Sequence, residues 1–287
     1  MNRKLFGCLN QKCKICSEKN FKFITNLTGK QFKNIASIYQ CKKCTLGITI
    51  PKPNSNYEYY TKITQDLKDD IKEEKTLNYI YKNMVSLFDD IYKKNQKLKI
   101  LDFGCGRGDL IRNFKLKYPY ADIYGVEASK INEKFLEKYK IKIFNSIDDL
   151  IKSEKALNTF DIISSSSVLE HIENFEEILK IQLKLKRKEG YLLISQAIYD
   201  AFLPKILPFA WYGWQPHEHF YHFSENSLKK LAKNKKLKIV KYQKASLHQS
   251  FCRGKSIKIK LAQIIIFIIS KIGKYLGKGD LHNLVLK

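Results

Sequence analysis

Arginine is scarce in this sequence. Only five of the 53 basic residues are arginine, and the lysines that make up the rest are spread over nearly every segment. A groove for RNA would favour clustered arginines with interleaved aromatic side chains. The formal net charge of +25 therefore indicates solvated lysine-rich faces first, anionic substrates or a membrane surface second, and nucleic acid last.

Long apolar runs are also missing. The longest, LAQIIIFIIS at 261–270, falls far short of the roughly 18 residues that a membrane-spanning helix needs, so we expect no transmembrane span. Lysines bracket the run on both sides: Lys258, Lys260, Lys271 and Lys274. We predict one apolar helix over 256–276. Either it packs in the core or at the contact of a homodimer, the interpretation that we favour, or it lies as an amphipathic helix on a surface.

The first residues lack the pattern of a secretory signal peptide, and the seven cysteines are an odd number. Both observations argue against a disulfide framework. They favour the reducing environment of the cytoplasm, where we expect the protein to be located.

Two C-x-x-C pairs are separated by 24 residues, Cys13 with Cys16 and Cys41 with Cys44. Each pair makes a tight knuckle that offers two thiolates, and two knuckles complete a tetrahedral Cys₄ site for structural Zn²⁺. Since so small a region would need the metal to fold, we predict a zinc-ribbon-like module over 1–50. Redox pairs are the alternative. A linker and helical segment is expected over 51–96.

The stretch 98–114, LKILDFGCGRGDLIRNF, joins a short apolar run to a glycine-rich turn and then to a helical pattern. Gly104, Gly106 and Gly108 allow the backbone to bend sharply and to approach a ligand closely. The helix that follows directs its N-terminal amides at the same space. The dinucleotide fingerprint G-x-G-x-x-G would need a glycine where Asp109 stands, which argues against a nicotinamide-binding fold.

From residue 97 the sequence alternates strands with helices, as a doubly wound parallel sheet requires. Strands are predicted at 98–102, 122–127, 141–144, 160–165, 190–196, 237–243 and 281–286. Helices are predicted at 107–117, 131–139, 147–154, 174–186 and 224–234.

The pattern acid-x-Gly-x-Gly-x-Gly, from Asp102 to Gly108, resembles the first motif of the class I S-adenosylmethionine-dependent methyltransferases. About 20 residues further on, a second strand ends at Glu127, where a carboxylate can accept both ribose hydroxyls. The resemblance implies an α/β fold over 97–287, with a doubly wound, seven-stranded Rossmann-like methyltransferase sheet and a late C-terminal hairpin. It also implies S-adenosyl-L-methionine as the cofactor.

The resemblance carries over to individual positions of the chain. Residues implied at the cofactor are Asp102, Gly104, Cys105 and Gly106 in the loop, Glu127 and Ala128 after the second strand, Asp148 after the third and Ser166 at the fourth. Asp148 can equally be an ordinary acid in the first turn of a helix.

After the fourth strand, the run V-L-E-H-I at 168–172 resembles methyltransferases that act on small molecules, including ubiquinone precursors and sugars. Enzymes that methylate exocyclic base amines carry N/D-P-P-Y/F at this place, whereas this chain has Ser164 to Ser167, which argues against that chemistry. His171 is a candidate general base, with capping or packing as the alternative.

The segment 197–223 is read as a substrate-side insertion because it concentrates aromatic side chains and histidines. An imidazole titrates near neutral pH and can take a proton from a hydroxyl group. We predict that His217 or His219 is a base or contacts the substrate, with a structural role as the alternative. Zinc binding is less favoured, since an i, i+2 pair without a third ligand is poor spacing.

These observations predict methyl transfer to an oxygen, carbon or nitrogen atom of a small molecule, with a sugar or nucleotide-sugar precursor as the leading substrate class. An anionic or nucleotide-linked substrate would suit the cationic chain. The alternatives are an RNA methyltransferase that uses the zinc module and basic surface, and a catalytically silent assembly protein that kept the fold. The intact glycine loop and Glu127 argue against the silent protein.

Overall fold

The computed structural model describes residues 11–28, 36–53, 74–128, 139–247 and 256–287. Most of the helix predicted over 131–139 and residues 54–73 of the linker and helical segment predicted over 51–96 lie outside the described residues.

The described elements alternate between strands and helices from residue 74 onward. The strands are β1 Phe21–Leu27, β2 Ala36–Cys41, β3 Gly47–Ile50, β4 Lys99–Phe103, β5 Asp122–Val126, β6 Lys142–Phe144, β7 Phe160–Ser166, β8 Lys186–Ala197, β9 Tyr221–His222, β10 Ile239–Ala245 and β11 Leu281–Leu286. The helices are α1 Glu74–Ser86, α2 Asp109–Lys117, α3 Ile147–Glu154, α4 Phe175–Leu185, α5 Phe202–Ile206, α6 Glu225–Asn234 and α7 Ile257–Tyr275, with short 3₁₀ turns at Leu169–His171 and Pro208–Ala210.

A seven-stranded sheet runs in the order β10-β11-β8-β7-β4-β5-β6. Strands β4 to β8 are parallel to one another, whereas β11 is antiparallel to both β8 and β10. The predicted sheet of seven strands with a late hairpin is therefore confirmed. Because the central strands are covered on both faces, four consecutive residues of β4 are buried, and Ile100 and Leu101 are completely so.

A second, antiparallel sheet has the order β1-β2-β3-β9. Its first three strands come from the cysteine-rich module, but β9 comes from the segment 197–223, which we expected to be a substrate-side insertion. Gly47 pairs with His222 and Ile48 with Tyr221. A Cβ atom on Gly47 would lie 2.9 Å from the Cβ atom of His222, so this pairing needs the glycine. The module and the larger sheet are thus joined through β9.

Helix α7 matches the boundaries predicted for the apolar helix, but the prediction that it packs in the core is wrong. Only Ile266, Ser270 and Gly273 are buried along its length. Among the described residues, no helix combines the length and the apolar character needed to cross a bilayer.

Candidate active site

The glycine-rich loop between β4 and α2 takes a backbone conformation that residues other than glycine rarely adopt. The φ angles of Gly104, Gly106 and Gly108 are 70°, 50° and 79°. The amides of Gly104 and Cys105 both donate to the carbonyl oxygen of Val126, at 2.8 and 3.2 Å, which ties the loop to the end of β5. The sequence prediction of a sharp strand-to-helix turn is confirmed, although α2 begins at residue 109 rather than 107 because the loop occupies the positions before it.

Two of these glycines face different surroundings. A Cβ atom on Gly104 would lie only 2.6 Å from Cγ2 of Val168, which follows β7, so the loop packs directly against the end of that strand. Among the residues that the structure describes, a Cβ atom on Gly106 would meet no heavy atom within 4 Å. The backbone at Gly106 therefore borders open space that a ligand can approach. The thiol of Cys105 points away from this space into the core, next to Gly125.

Asp102 lies on β4, one residue before the strand ends, and is buried. The hydroxyl group of Ser164 on β7 donates a hydrogen bond to its Oδ1 atom at 2.7 Å. Burial raises the pKa of Asp102 to about 7, the hydrogen bond from Ser164 opposes this rise, and the charge of Glu127 adds to it. The carboxyl group is thus held close to its titration point at neutral pH.

Glu127 follows β5 and is half-buried, with the exposed Ala128 beside it. Its Oε2 atom accepts a hydrogen bond from the amide of Gly106 at 2.9 Å. The structure therefore brings the predicted acid and the predicted loop together. Asp148 is exposed in the first turn of α3, which is capped by Ser146.

Ser166 is the last residue of β7 and is half-buried. The residues predicted to hold the cofactor follow, or stand near the ends of, β4, β5, β6 and β7. Because these strands are parallel, the residues predicted to hold the cofactor all lie at the carboxyl edge of the sheet, where ligands bind in folds of this kind.

His171 and His219 come together next to this edge. His171 ends the 3₁₀ turn that begins just after Val168, and His219 lies shortly before β9. Their ring centroids are 4.4 Å apart and the rings are nearly perpendicular. The amide of Phe220 donates to the carbonyl oxygen of Glu170 at 2.8 Å, which joins the two segments.

The hydrogen bonds around His219 fix its tautomer. Its Nδ1 atom lies 3.1 Å from the carbonyl oxygen of Gly213. A carbonyl oxygen can only accept, so Nδ1 carries the hydrogen and Nε2 of the neutral ring is a proton acceptor. Burial lowers the pKa of His171 to about 4 and that of His219 well below its usual value. Both imidazoles are therefore uncharged at neutral pH.

The comparisons with known proteins agree with this geometry. A family model described as a methyltransferase domain matches residues 73–242, which is more than half of the chain. The chain belongs to this methyltransferase family. The ubiquinone biosynthesis O-methyltransferase of Pelagibacter ubique is 28% identical over 158 residues, covering 48% of this chain and 64% of that protein. The pavine N-methyltransferase of Thalictrum flavum subsp. glaucum is 27% identical over 122 residues, 39% of this chain and 34% of that protein.

The chain thus spans between about a third and two thirds of the length of these two curated relatives. A solved structure of a SAM-dependent methyltransferase from Thermotoga maritima, described as a possible histamine N-methyltransferase, superposes with a TM-score of 0.53. Its sequence identity is 12%, and the match covers 80% of this chain and 98% of that chain. It shows that the two proteins share the class I methyltransferase fold.

Several residues at this edge of the sheet were not predicted from the sequence. Burial raises the pKa of Tyr81 on α1 above its usual range, and the nearby carboxyl groups of Asp109 and Asp102 add to the rise. Tyr81 therefore places α1 beside the glycine loop. Its spacing is that of any apolar helix position, so the sequence held no signal for this role. Asp109 itself pairs with Arg107 at 2.9 Å.

Two buried carboxyl groups accompany the histidines. His217 Nε2 lies 2.9 Å from Oε1 of Glu218. Glu170 is also buried, and burial raises its pKa to about 7. Glu170, His171 and His219 offer three ligand atoms within 4.8 Å of one another, a set that could hold a divalent ion. The sequence offered no third ligand near His219, because residues 170 and 219 meet only through the fold.

The four cysteines of the two C-x-x-C pairs converge in the small sheet. The Sγ atoms of Cys13 and Cys44 are 3.4 Å apart, those of Cys16 and Cys41 are 3.5 Å apart, and all four lie within 4.8 Å of one another. A tetrahedron with Zn–S bonds of about 2.3 Å has edges of about 3.8 Å. The donor set and its spacing therefore fit Zn²⁺.

Proposed function

We propose that this protein transfers a methyl group from S-adenosyl-L-methionine to a nucleophilic atom of a small molecule. The observation that carries the proposal is the meeting of two groups of residues at one edge of the sheet. One is a glycine loop bordered by Asp102 and Glu127. The other is a pair of neutral, buried imidazoles, His171 and His219, joined to the loop through Val168.

For the cofactor, the chain offers a loop backbone that is open at Gly106, a carboxylate on each side of it, and polar positions at the ends of the next strands. We assign Asp102, Gly104 and Gly106 to the methionine end, Glu127 with Ala128 to the ribose, and Asp148 and Ser166 to the adenine side. The bound cofactor would supply an electrophilic methyl group on a sulfonium. The protein then has to align the acceptor, exclude water and remove a proton.

We assign proton removal to His219. Its Nε2 atom is the acceptor of the neutral ring, and burial keeps the ring neutral well below pH 7. Nε2 would accept the proton that the acceptor atom loses when it gains the methyl group. His171 packs edge-on against His219 and orients it, and His217, held by Glu218, lines the same segment.

The acceptor is proposed to be a sugar or a nucleotide-linked sugar. The names of the two relatives record methylation on oxygen and on nitrogen of small molecules, and the net charge of +25 favours an anionic substrate. Buried aromatic rings beside the histidines also favour a flat or ring-shaped ligand: Trp214 lies 4.8 Å from His222, centroid to centroid.

We further propose that Cys13, Cys16, Cys41 and Cys44 hold a structural Zn²⁺ in the module over 1–50, with 51–96 as the connecting segment and 97–287 as the methyltransferase domain. Metal analysis of the purified protein is expected to give one zinc per chain. The variant Cys16→Ser should lose the zinc, whereas the buried Cys105→Ser should retain it. Equal zinc content in the two variants would contradict this assignment.

The proposed activity is tested first by calorimetric titration with S-adenosyl-L-methionine. The wild-type protein should bind it, and His219→Gln should bind with the same affinity. With an acceptor found by screening sugar nucleotides, His219→Gln should be slower by about 100-fold or more, the usual effect of removing a general base. Absence of cofactor binding by folded, zinc-loaded protein would refute the proposal. Full turnover by His219→Gln would refute only the base.

A further inference from the structure

Helix α7 contacts the rest of the protein through a narrow stripe. Ile266, Ser270 and Gly273 are buried, and the hydroxyl group of Ser246 donates to the carbonyl oxygen of Ser270 at 3.0 Å. A Cβ atom on Gly273 would lie 2.9 Å from the Cβ atom of Phe202, so the glycine allows α5 to approach closely. These contacts fix which side of α7 faces outward.

The outward side is apolar, which is the reverse of an ordinary surface helix. It carries seven large apolar side chains, each at least 44% exposed: Ile257, Leu261, Ile264, Ile265, Ile268, Ile272 and Tyr275. We call this set the outer face of α7. On α5 and the turn after it, Ile206 and Phe209 are 48% and 56% exposed, and α5 packs against α7. The exposed apolar surface therefore continues beyond the helix.

Positive charge borders this surface. At about 100° of rotation per residue, Lys260, Lys271 and Lys274 fall along one border of the outer face and Lys258 along the other. The sequence from Ser256 to Gly279 contains no aspartate or glutamate. The helix thus combines an apolar face with a purely cationic margin.

This charge distribution discriminates between two occupants. A second copy of the chain would bring the same lysines together, with no acid on either helix to pair with them, and would join two chains of charge +25. An anionic lipid surface accepts both features, because the apolar side chains enter the boundary of the acyl chains while the lysines meet the headgroups. We propose that α7 lies flat on an anionic lipid surface and docks the protein there through its outer face.

The proposal is tested by co-sedimentation of the full chain with vesicles. The protein is expected to bind mixed phosphatidylcholine and phosphatidylglycerol vesicles, to bind pure phosphatidylcholine far more weakly, and to be released by salt. The double variant Ile264→Gln/Ile268→Gln should bind the mixed vesicles at least about tenfold more weakly, since two large apolar side chains no longer enter the lipid. Its circular dichroism and its affinity for S-adenosyl-L-methionine should match the wild type, because neither residue is near the glycine loop.

A matched control is the double variant Leu116→Gln/Leu157→Gln, which removes two leucines that are 66% and 57% exposed elsewhere on the surface. It should bind vesicles like the wild type. Equal vesicle binding by all three proteins would show that the cationic chain is attracted to anionic lipid without using α7. That result would overturn the proposal that the outer face of α7 is the docking site. Failure of the wild type to bind mixed vesicles would also overturn it. So would a wild-type dimer in sedimentation velocity that Ile264→Gln/Ile268→Gln dissociates, because the outer face would then be covered by a second copy.

Discussion

The buried carboxyl group of Asp102 should make cofactor binding depend on pH near neutrality. Burial raises its pKa to about 7 in the ligand-free protein. The methionine end of S-adenosyl-L-methionine carries a positively charged ammonium and a sulfonium, which interact favourably only with the ionised carboxylate. Binding should therefore take place with loss of a proton from Asp102 wherever that proton is still present.

The size of the effect follows from the fraction of Asp102 that is ionised. With a pKa of about 7, that fraction is about 0.9 at pH 8, 0.5 at pH 7 and 0.1 at pH 6. If only the ionised form binds, the association constant should fall about tenfold from pH 8 to pH 6. At pH 7, about half a proton should be released for each cofactor bound.

Calorimetric titration from pH 6 to pH 8, in two buffers with different ionisation enthalpies, measures both the affinity and the proton release. Asp102→Asn is the control, because its amide oxygen can still accept the hydrogen bond from Ser164 but the side chain does not titrate. The variant should bind weakly, and any slope that it retains belongs to the ligand's own amino group. An affinity that has the same slope in both proteins would refute the reasoning.

The raised pKa of Asp102 also predicts how the stability of the ligand-free protein depends on pH, in the direction opposite to that of cofactor binding. Because the pKa of Asp102 is higher in the folded protein than the ordinary value of 3.8, the folded state binds the proton more tightly. The associated stability is present below about pH 4 and is lost as the pH rises through 7, up to about 4 kcal/mol in total. Asp102→Asn should consequently raise the melting temperature at pH 8 while it weakens cofactor binding.

Three further variants test single contacts. Glu127→Ala should weaken binding of S-adenosyl-L-methionine at least about tenfold by calorimetry, because it removes a charged hydrogen-bonding group; unchanged affinity would remove Glu127 from the site. Gly104→Ala should lower the melting temperature and abolish binding because its methyl group would meet Val168 at 2.6 Å. Gly277→Ala, with φ of 65° and no atom of the described residues within 4 Å, carries only the backbone strain; equal effects would exclude the steric reason. Thr49→Val should cost about 1–3 kcal/mol in urea unfolding, since it leaves the carbonyl oxygen of His219 without its hydroxyl donor, with no change in cofactor affinity; a neutral result would show that this hydrogen bond is dispensable.

Most of the large sheet could be predicted from the sequence because its signals are local. Strands β4, β5 and β7 are short buried runs, each followed in the sequence by a helical pattern. Helix α3 lies at Ile147–Glu154 as predicted. The boundary errors also have local causes. Strand β8 begins at Lys186, before the predicted 190, because its first residues include charged side chains that are exposed although the backbone is extended.

Long-range pairings were the part that the sequence did not reveal. Strand β9 has two residues, too few for any periodicity, and it exists because β3 presents a free edge at Gly47. The solvent-facing side of α7 was equally hidden. A nearly continuous apolar helix fits a core, and its exposure depends on which three residues meet α5 and the end of β10. Composition alone does not specify this.

The residues of the candidate site also divide into those whose meeting a local motif predicts and those that only the fold brings together. The glycine loop and Glu127 lie within 26 residues of one another in the sequence and resemble a known motif, so their meeting was expected. His171 and His219 were predicted separately, and only the fold brings their rings to 4.4 Å. Glu170 was not predicted because its burial, which raises its pKa to about 7, comes from the fold and not from its neighbours in the sequence.

The position of β9 links the cysteine-rich module to the histidines. Cys41 ends β2 and Cys44 lies in the turn between β2 and β3. The amide of Cys41 donates across this turn to the carbonyl oxygen of Leu46 at 2.9 Å. On β3, the hydroxyl group of Thr49 donates to the carbonyl oxygen of His219 at 2.6 Å. That hydroxyl has a single hydrogen, so Nε2 of His222, 2.9 Å away, must be the donor in their contact. The turn that carries Cys44 therefore leads into the strand that holds the backbone of His219 and fixes the tautomer of His222, and a module distant in sequence becomes one wall of the proposed active site.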